Sequence, residues 1–310
     1  MSFRSFLAAA VLLFGALYPL SAKPLVYVPV EPYAYLFERL AGDWADIQTI
    51  VGEGDDPHDY SPPPRQLAQM SKANLLCSGE LGFEGNFFIK IGDGVSAPKP
   101  VNLLEGLPLL EGSCEICESN HAATEEEEHA EEGHEDDHHH HHDHDELKDP
   151  HVWLSPLLLK QMAPSVAVLL KEHTAPEADS DIDANLQTFL SDLDEVHQEL
   201  TKTLAPMKGQ TFYVYHGAFA YFADAYGLTQ KAVEVSGRQP APKELAQIAK
   251  QAKEDEVKLL FVQPQFDESS ARSLASTLGG SVQTLDPLER DVIANLRSIA
   301  QAIQALGTES

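Results

Sequence analysis

The chain has 310 residues, 43% of them hydrophobic, enough to bury the core of one large domain or two ordinary ones. Its formal net charge is −28 at pH 7, from 49 Asp and Glu against 21 Lys and Arg. Such a balance argues against nucleic acid or an anionic membrane surface as a partner; it suits solubility and cations without specifying either.

The N-terminus reads MSFRSFLAAAVLLFGALYPLSAKP. One arginine precedes an apolar run from Phe6 to Leu17, and Ser21-Ala22 follows. This is the order of a secretory leader, so residues 1–22 are expected to be removed on export, which points to the periplasm. The run is too short for a comfortable membrane span, and no Cys follows the expected cut to carry a lipid. The cysteines are Cys77, Cys114 and Cys117. One disulfide with one thiol left over is plausible in an exported chain. Cys114 and Cys117 form a single CxxC, without the second pair that a structural zinc site would normally need.

Beyond the leader, short apolar runs alternate with helical patterns. Leu25–Val30 reads as a strand, and Pro32–Leu40 as a helix with a stripe at Tyr33, Leu36, Phe37 and Leu40. Ile47–Val51 is a second strand, Pro62–Ser71 a helix, Asn74–Ser78 a third strand, Leu81–Ile91 a helix and Val101–Leu104 a fourth strand. Residues 112–148 interrupt the pattern. This acidic, histidine-rich block has almost no apolar residues after Ile116, so it cannot bury a core and reads as an inserted loop, disordered without metal. Leu157–Glu172 is an apolar helical stretch that Pro164 should kink or restart. Ile182–Leu204 is a long polar helix with Leu186, Phe189, Leu193, Val196 and Leu200 on one stripe. The alternation then resumes, with strands at Thr211–Tyr215, Lys231–Val235, Lys258–Val262 and Ser281–Leu285, and helices near Ala218–Tyr226, Pro242–Lys253, Ser269–Leu278 and Arg290–Leu306. The expected fold is α/β: two lobes, each with a mostly parallel sheet flanked by helices, joined by one long backbone helix. The lobes are expected at 23–180, including the insert 112–148, and at 207–310, with the linker helix at 181–206.

Ligands of such folds sit at the carboxyl ends of strands and often between domains. Three histidines occupy or closely follow those ends: His58 in GEGDDPHDYSPPP, His151 in DPHVWLSP, and His216 directly after TFYVY. Asp286 directly follows the last strand in LDPL. The first two histidines share a turn. Asp56-Pro57-His58 is followed by Ser61-Pro62, and Asp149-Pro150-His151 by Ser155-Pro156. Ser before Pro is a good helix start, and Pro before His stiffens the turn that presents the imidazole. Each histidine has a bland alternative: His58 as a surface turn residue, His151 as part of the disordered run, His216 as a satisfied core histidine. The duplicated turn and the adjoining insert favour ligands. His173 and His197, among charged residues in helices, read as solvated surface.

These motifs resemble the solute-binding proteins of zinc and manganese ABC transporters, most of all the zinc-specific ZnuA type. The resemblance runs through VPVEPYAYLFERLAGDWADIQTIVGEGDDPHDYSP, DPHVWLSP, VYHGAFAYFADAYGL, FVQPQF and LDPL, and the histidine-rich insert before DPHVWLSP is characteristic of the zinc branch. It implies two α/β lobes on one long helix with the metal in the cleft, held by His58 and His151 from the first lobe and His216 from the second. Asp286 matches a carboxylate that completes the site in manganese-type relatives. In zinc-type relatives the fourth position can be water or another carboxylate; some have Glu directly before the first histidine, where Pro57 stands here. The implied function is that of a monomeric carrier that takes Zn2+ to an ABC permease and its ATPase.

Ligand chemistry agrees: three imidazoles favour a borderline metal such as zinc, whereas manganese sites lean toward carboxylates. Imidazole must be neutral to coordinate, so uptake should weaken below about pH 6. The insert carries His129, His134, His138, His139, His140, His141, His142 and His144, interleaved with acids, which is unlike an expression tag. As weak sites on a tether they would collect zinc near the cleft or sense its excess; the alternative is a tolerated solvated loop. A manganese-preferring carrier of the same fold is the nearest alternative. A zinc hydrolase is a rival from another class, but no HExxH helix and no evident general base accompany the histidines. A pure zinc buffer would leave the paired lobes and the two DPH turns unexplained.

Overall fold

The computed structural model describes residues 22–58, 60–84, 88, 98–112, 148–234, 240–255, 257, 259–265, 272, 275–276 and 280–306. The expected leader and insert lie outside the described residues except at their edges, as do Cys114, Cys117, the eight insert histidines and most of the helix expected over 269–278.

Two parallel four-stranded sheets form the framework. The first contains β1 (Leu25–Val28), β2 (Asp46–Thr49), β3 (Leu75–Ser78) and β4 (Val101–Asn102), in the order β2-β1-β3-β4. The second contains β5 (Thr211–Val214), β6 (Thr229–Ala232), β7 (Leu259–Val262) and β8 (Ser281–Thr284), in the corresponding order β6-β5-β7-β8. Every pairing is parallel; Val26 lies between Ile47 and Leu75, and Tyr213 between Lys231 and Leu260. The inner strands are near-continuous apolar runs because helices cover both faces, whereas edge strands β2 and β8 stay partly exposed.

Helix α1 (Glu31–Ala41) follows β1 and buries the expected stripe of Tyr33, Leu36, Phe37 and Leu40. Helix α2 (Pro64–Met70) starts two residues later than its sequence suggests, and Ser61 does not cap it. The reason is the run Pro62-Pro63-Pro64: each proline holds its predecessor extended, so only the last can open a helix. Helix α3 (Pro156–His173) is capped as expected, with Ser155 Oγ accepting from Leu158 N at 3.4 Å. It is one helix through Pro164, with no restart. Pro164 lies on its exposed face, where the carbonyl deprived of a partner can be hydrated.

Helix α4 (Asp179–Leu204), 26 residues and so about 39 Å long, buries Ile182, Phe189, Leu193, Val196, Leu200 and Leu204 along one face. It packs against α1 and α3 of the first lobe and against α7 (Val292–Leu306) of the second, and one apolar cluster runs through all four. In the second lobe, α5 (Ala220–Tyr226) ends at Gly227, whose left-handed φ of 66° lets Gly227 N and Leu228 N turn back onto Ala223 O. Helix α6 (Pro242–Glu254) closes a smaller core of Tyr213, Tyr215, Val233, Ile248, Leu260 and Val262. Two helical histidines are less solvated than expected. His173 is half-buried and donates from Nδ1 to Leu169 O at 2.8 Å, and His197 packs its ring on Tyr226 at 5.6 Å. Among the described residues no helix is long and apolar enough to cross a membrane.

Candidate metal centre

His58 lies in the loop after β2. That loop is pinned where Gln66 Nε2 donates to Ile50 O at 2.6 Å and Tyr60 OH donates to Gln66 at 2.7 Å. The turn itself is an Asx turn, in which Asp56 Oδ1 accepts His58 N at 2.9 Å. The second DPH motif folds the same way: Asp149 Oδ1 accepts His151 N at 2.9 Å. Asp149 goes further and also receives His151 Nδ1 at 2.7 Å.

His216 leaves the second sheet at the switch point between β5 and β7, where ligands of doubly wound sheets collect. Tyr215 N still bonds to Phe261 O, but His216 N bonds instead to Gln263 Oε1 at 3.0 Å, and Gln263 Nε2 donates back to His216 O at 2.7 Å. The Nδ1 of His216 donates to the carboxylate of Glu234, which sits just past β6. Asp149, Glu234 and Gln263 are all buried.

The three imidazoles converge across the cleft. His216 Nε2 lies 3.2 Å from His58 Nε2 and 3.3 Å from His151 Nε2. One ligand atom from each lies within 4.8 Å of the others, the one such group of three among the described residues. Four ligands at zinc–nitrogen distances place neighbouring nitrogens about 3.3 Å apart around a tetrahedron. The tautomers add a second argument. With Nδ1 of His151 and of His216 each donating to a carboxylate, both Nε2 atoms present lone pairs at 3.3 Å, a contact that calls for a cation between them. Two outer carboxylates also match the charge of a divalent ion. His151 and His216 are buried while His58 is exposed, so His58 stands at the mouth. Leu81, Trp153, Pro287 and Leu288 wall the site and limit water.

Asp286 is not brought into this group. Its Oδ1 accepts Leu288 N at 2.9 Å and Gln265 Nε2 at 3.0 Å. It lines a neighbouring depression with Glu31, Glu53, Glu289 and Arg290, and Gln265 borders both spaces. Cys77 is buried and has no disulfide partner among the described residues. The lobes touch beside the centre through Trp153 Nε1, which donates to Pro287 O at 2.8 Å, and through Arg290, which pairs with Glu31 and with Glu38.

A two-lobed α/β frame on a single long helix, with its polar convergence in the cleft, defines the architecture of a periplasmic solute-binding protein. The chain belongs to the ZnuA family, zinc-uptake complex component A, periplasmic, whose family model matches residues 26–305. It is 31% identical over 322 residues to the high-affinity zinc uptake system protein ZnuA of Haemophilus influenzae, covering 93% of this chain and 92% of that one. A crystal structure of ZnuA is 32% identical with a TM-score of 0.76, covering 91% of this chain and 98% of that one. A ZnuA deletion mutant with zinc bound is also 32% identical with a TM-score of 0.76, covering 91% and 97%.

Proposed function

We propose that this protein is an exported carrier that captures Zn2+ in its interlobe cleft and delivers it to an ABC permease, whose ATPase drives uptake. The observation that carries the reading is the convergence of His58, His151 and His216 through Nε2, two of them oriented by buried carboxylates. His58, His151 and His216 hold the ion; water or a movement of Asp286 completes the shell. Nitrogen donors without a carboxylate among them favour zinc over manganese. The membership in a zinc-uptake family and the zinc-bound relative support the same assignment. The leader 1–22 directs export and is removed after Ala22 without a lipid anchor, and the carrier acts as a monomer. The insert histidines, from His129 to His144, form weaker collecting sites.

Zinc titration in competition with a chelator tests this. The chain lacking Glu118–Glu146 should keep one tight site and lose only weaker ones, and manganese should not displace zinc from it. His216→Ala should weaken that site by more than about a hundredfold, beyond the cost of losing an outer partner. If all binding left with the insert, or if His216→Ala bound zinc as before, the cleft assignment would be wrong.

A further inference from the structure

Residues 113–147 are framed by a two-stranded stem. Glu111 and Lys148 pair as an antiparallel bridge, and Asp149 N donates to Leu110 O at 2.9 Å. One side chain of the opposite lobe grips both strands. Tyr221, in α5, donates its hydroxyl to Asp149 O at 2.7 Å and accepts Leu110 N at 3.0 Å. It is 4% exposed, so water cannot readily replace these bonds.

Asp149 is also the residue that orients His151, through both the backbone amide and Nδ1. Tyr221 in turn lies five residues beyond His216, on the segment that carries that imidazole. The two segments therefore meet at two points: His216 Nε2 against His151 Nε2 at 3.3 Å, and the Tyr221 hydroxyl against the Asp149 carbonyl at 2.7 Å. A single point of contact would leave them free to pivot; two fix their orientation. The Asp149 backbone is held on its amide side by Leu110 and on its carbonyl side by Tyr221, which fixes the direction of its carboxylate.

We infer that Tyr221 is a positioning residue for the histidine centre: acting through Asp149, it sets His151 against His216 and ties the stem of the insert to the same geometry. This rests on the reading of the three histidines as metal ligands. Linkage makes the effect reciprocal, so zinc in the cleft tightens the stem by the factor with which the intact stem favours zinc.

Y221F keeps the ring and removes only the hydroxyl. In the full chain, titrated with zinc against a chelator, it should weaken the tight site by about tenfold, the low end of the cost of an outer partner. Combined with Asp149→Ala it should cost less than the product of the two separate effects, because one residue acts through the other. A second readout needs no variant: zinc should slow hydrogen exchange at the Leu110 amide of the unaltered protein. Unchanged zinc affinity in Y221F, multiplicative effects in the pair, or Leu110 exchange indifferent to zinc would each overturn the inference. So would an equal loss of thermal stability in the zinc-free and zinc-loaded variant, the mark of a purely structural role. His216→Ala separates the two readings. If it too leaves binding intact, the histidine centre is wrong; if it abolishes tight binding while Y221F leaves the affinity unchanged, only the role of Tyr221 fails.

Discussion

Glu234 and His216 sit past adjacent parallel strands, and the carboxylate of one receives the Nδ1 proton of the other inside a buried pair. The bond fixes the tautomer, so the remaining lone pair of His216 points into the cleft, and it places a negative charge one imidazole away from where a cation would lie.

Glu234→Gln tests that arrangement with little change of shape. The amide oxygen can still accept from Nδ1, but the charge is gone. Zinc affinity is expected to fall by about ten- to a hundredfold, measured by chelator competition on the insert-deleted chain. Wild-type affinity would mean that the carboxylate only orients the ring.

Sequence pattern placed seven of the eight strands to within two residues, set the sixth at Lys231–Val235 where the fold has Thr229–Ala232, and picked out the three histidines that the fold brings together. It did so because strand ends in a parallel sheet are fixed by apolar run length, and because the DPH turn is a local device repeated twice. Glu234 was hidden by the same logic: the apolar residues on either side of it extend the apparent strand through Val235, whereas the regular ladder with β5 ends at Ala232. Gln263 could have been noticed, since it directly follows LLFV as His216 closely follows TFYV. The interlobe contact of Tyr221 with Leu110 and Asp149 has no local signature, because its partners are 111 and 72 residues away.

The Trp153–Pro287 bond joins the lobes directly behind His151, and the Trp153 ring also packs edge-on against His151 at 5.3 Å and Tyr33 at 5.4 Å. Trp153→Phe leaves the Pro287 carbonyl without its donor, at a cost of about 1–3 kcal/mol. Part of that cost falls on the closed, zinc-loaded arrangement. Urea unfolding with and without zinc should therefore show a larger loss for the loaded protein. Equal losses would place the whole effect in the core packing.

Glu84 supplies a dependence on pH that does not come from the histidines. Burial pushes its carboxyl above the usual range, although hydrogen bonds from Ser78, Gly79 and Glu80 pull it partly back. An acid whose folded pKa is raised binds its proton more tightly in the folded state. Its contribution to stability is therefore largest at low pH and declines as pH rises from about 4.3, the ordinary Glu value, through the raised one. Relative to Glu84→Gln, the zinc-free wild type should lose stability over that window when unfolded in urea at successive pH values. Parallel curves for the two proteins would show that Glu84 does not titrate differently on folding.

Because both sheets are wholly parallel, all their strands end toward the same cleft, and the loops after β2, β5, β6, β7 and β8 deliver His58, His216, Glu234, Gln263 and Asp286 to its neighbourhood. The strands themselves supply no ligand atom. The sheets and the long helix form an inert chassis, and the chemistry is confined to short interchangeable tips. A lineage built this way can retune which ion it selects by editing a few loop residues, leaving the interior that holds the fold together untouched.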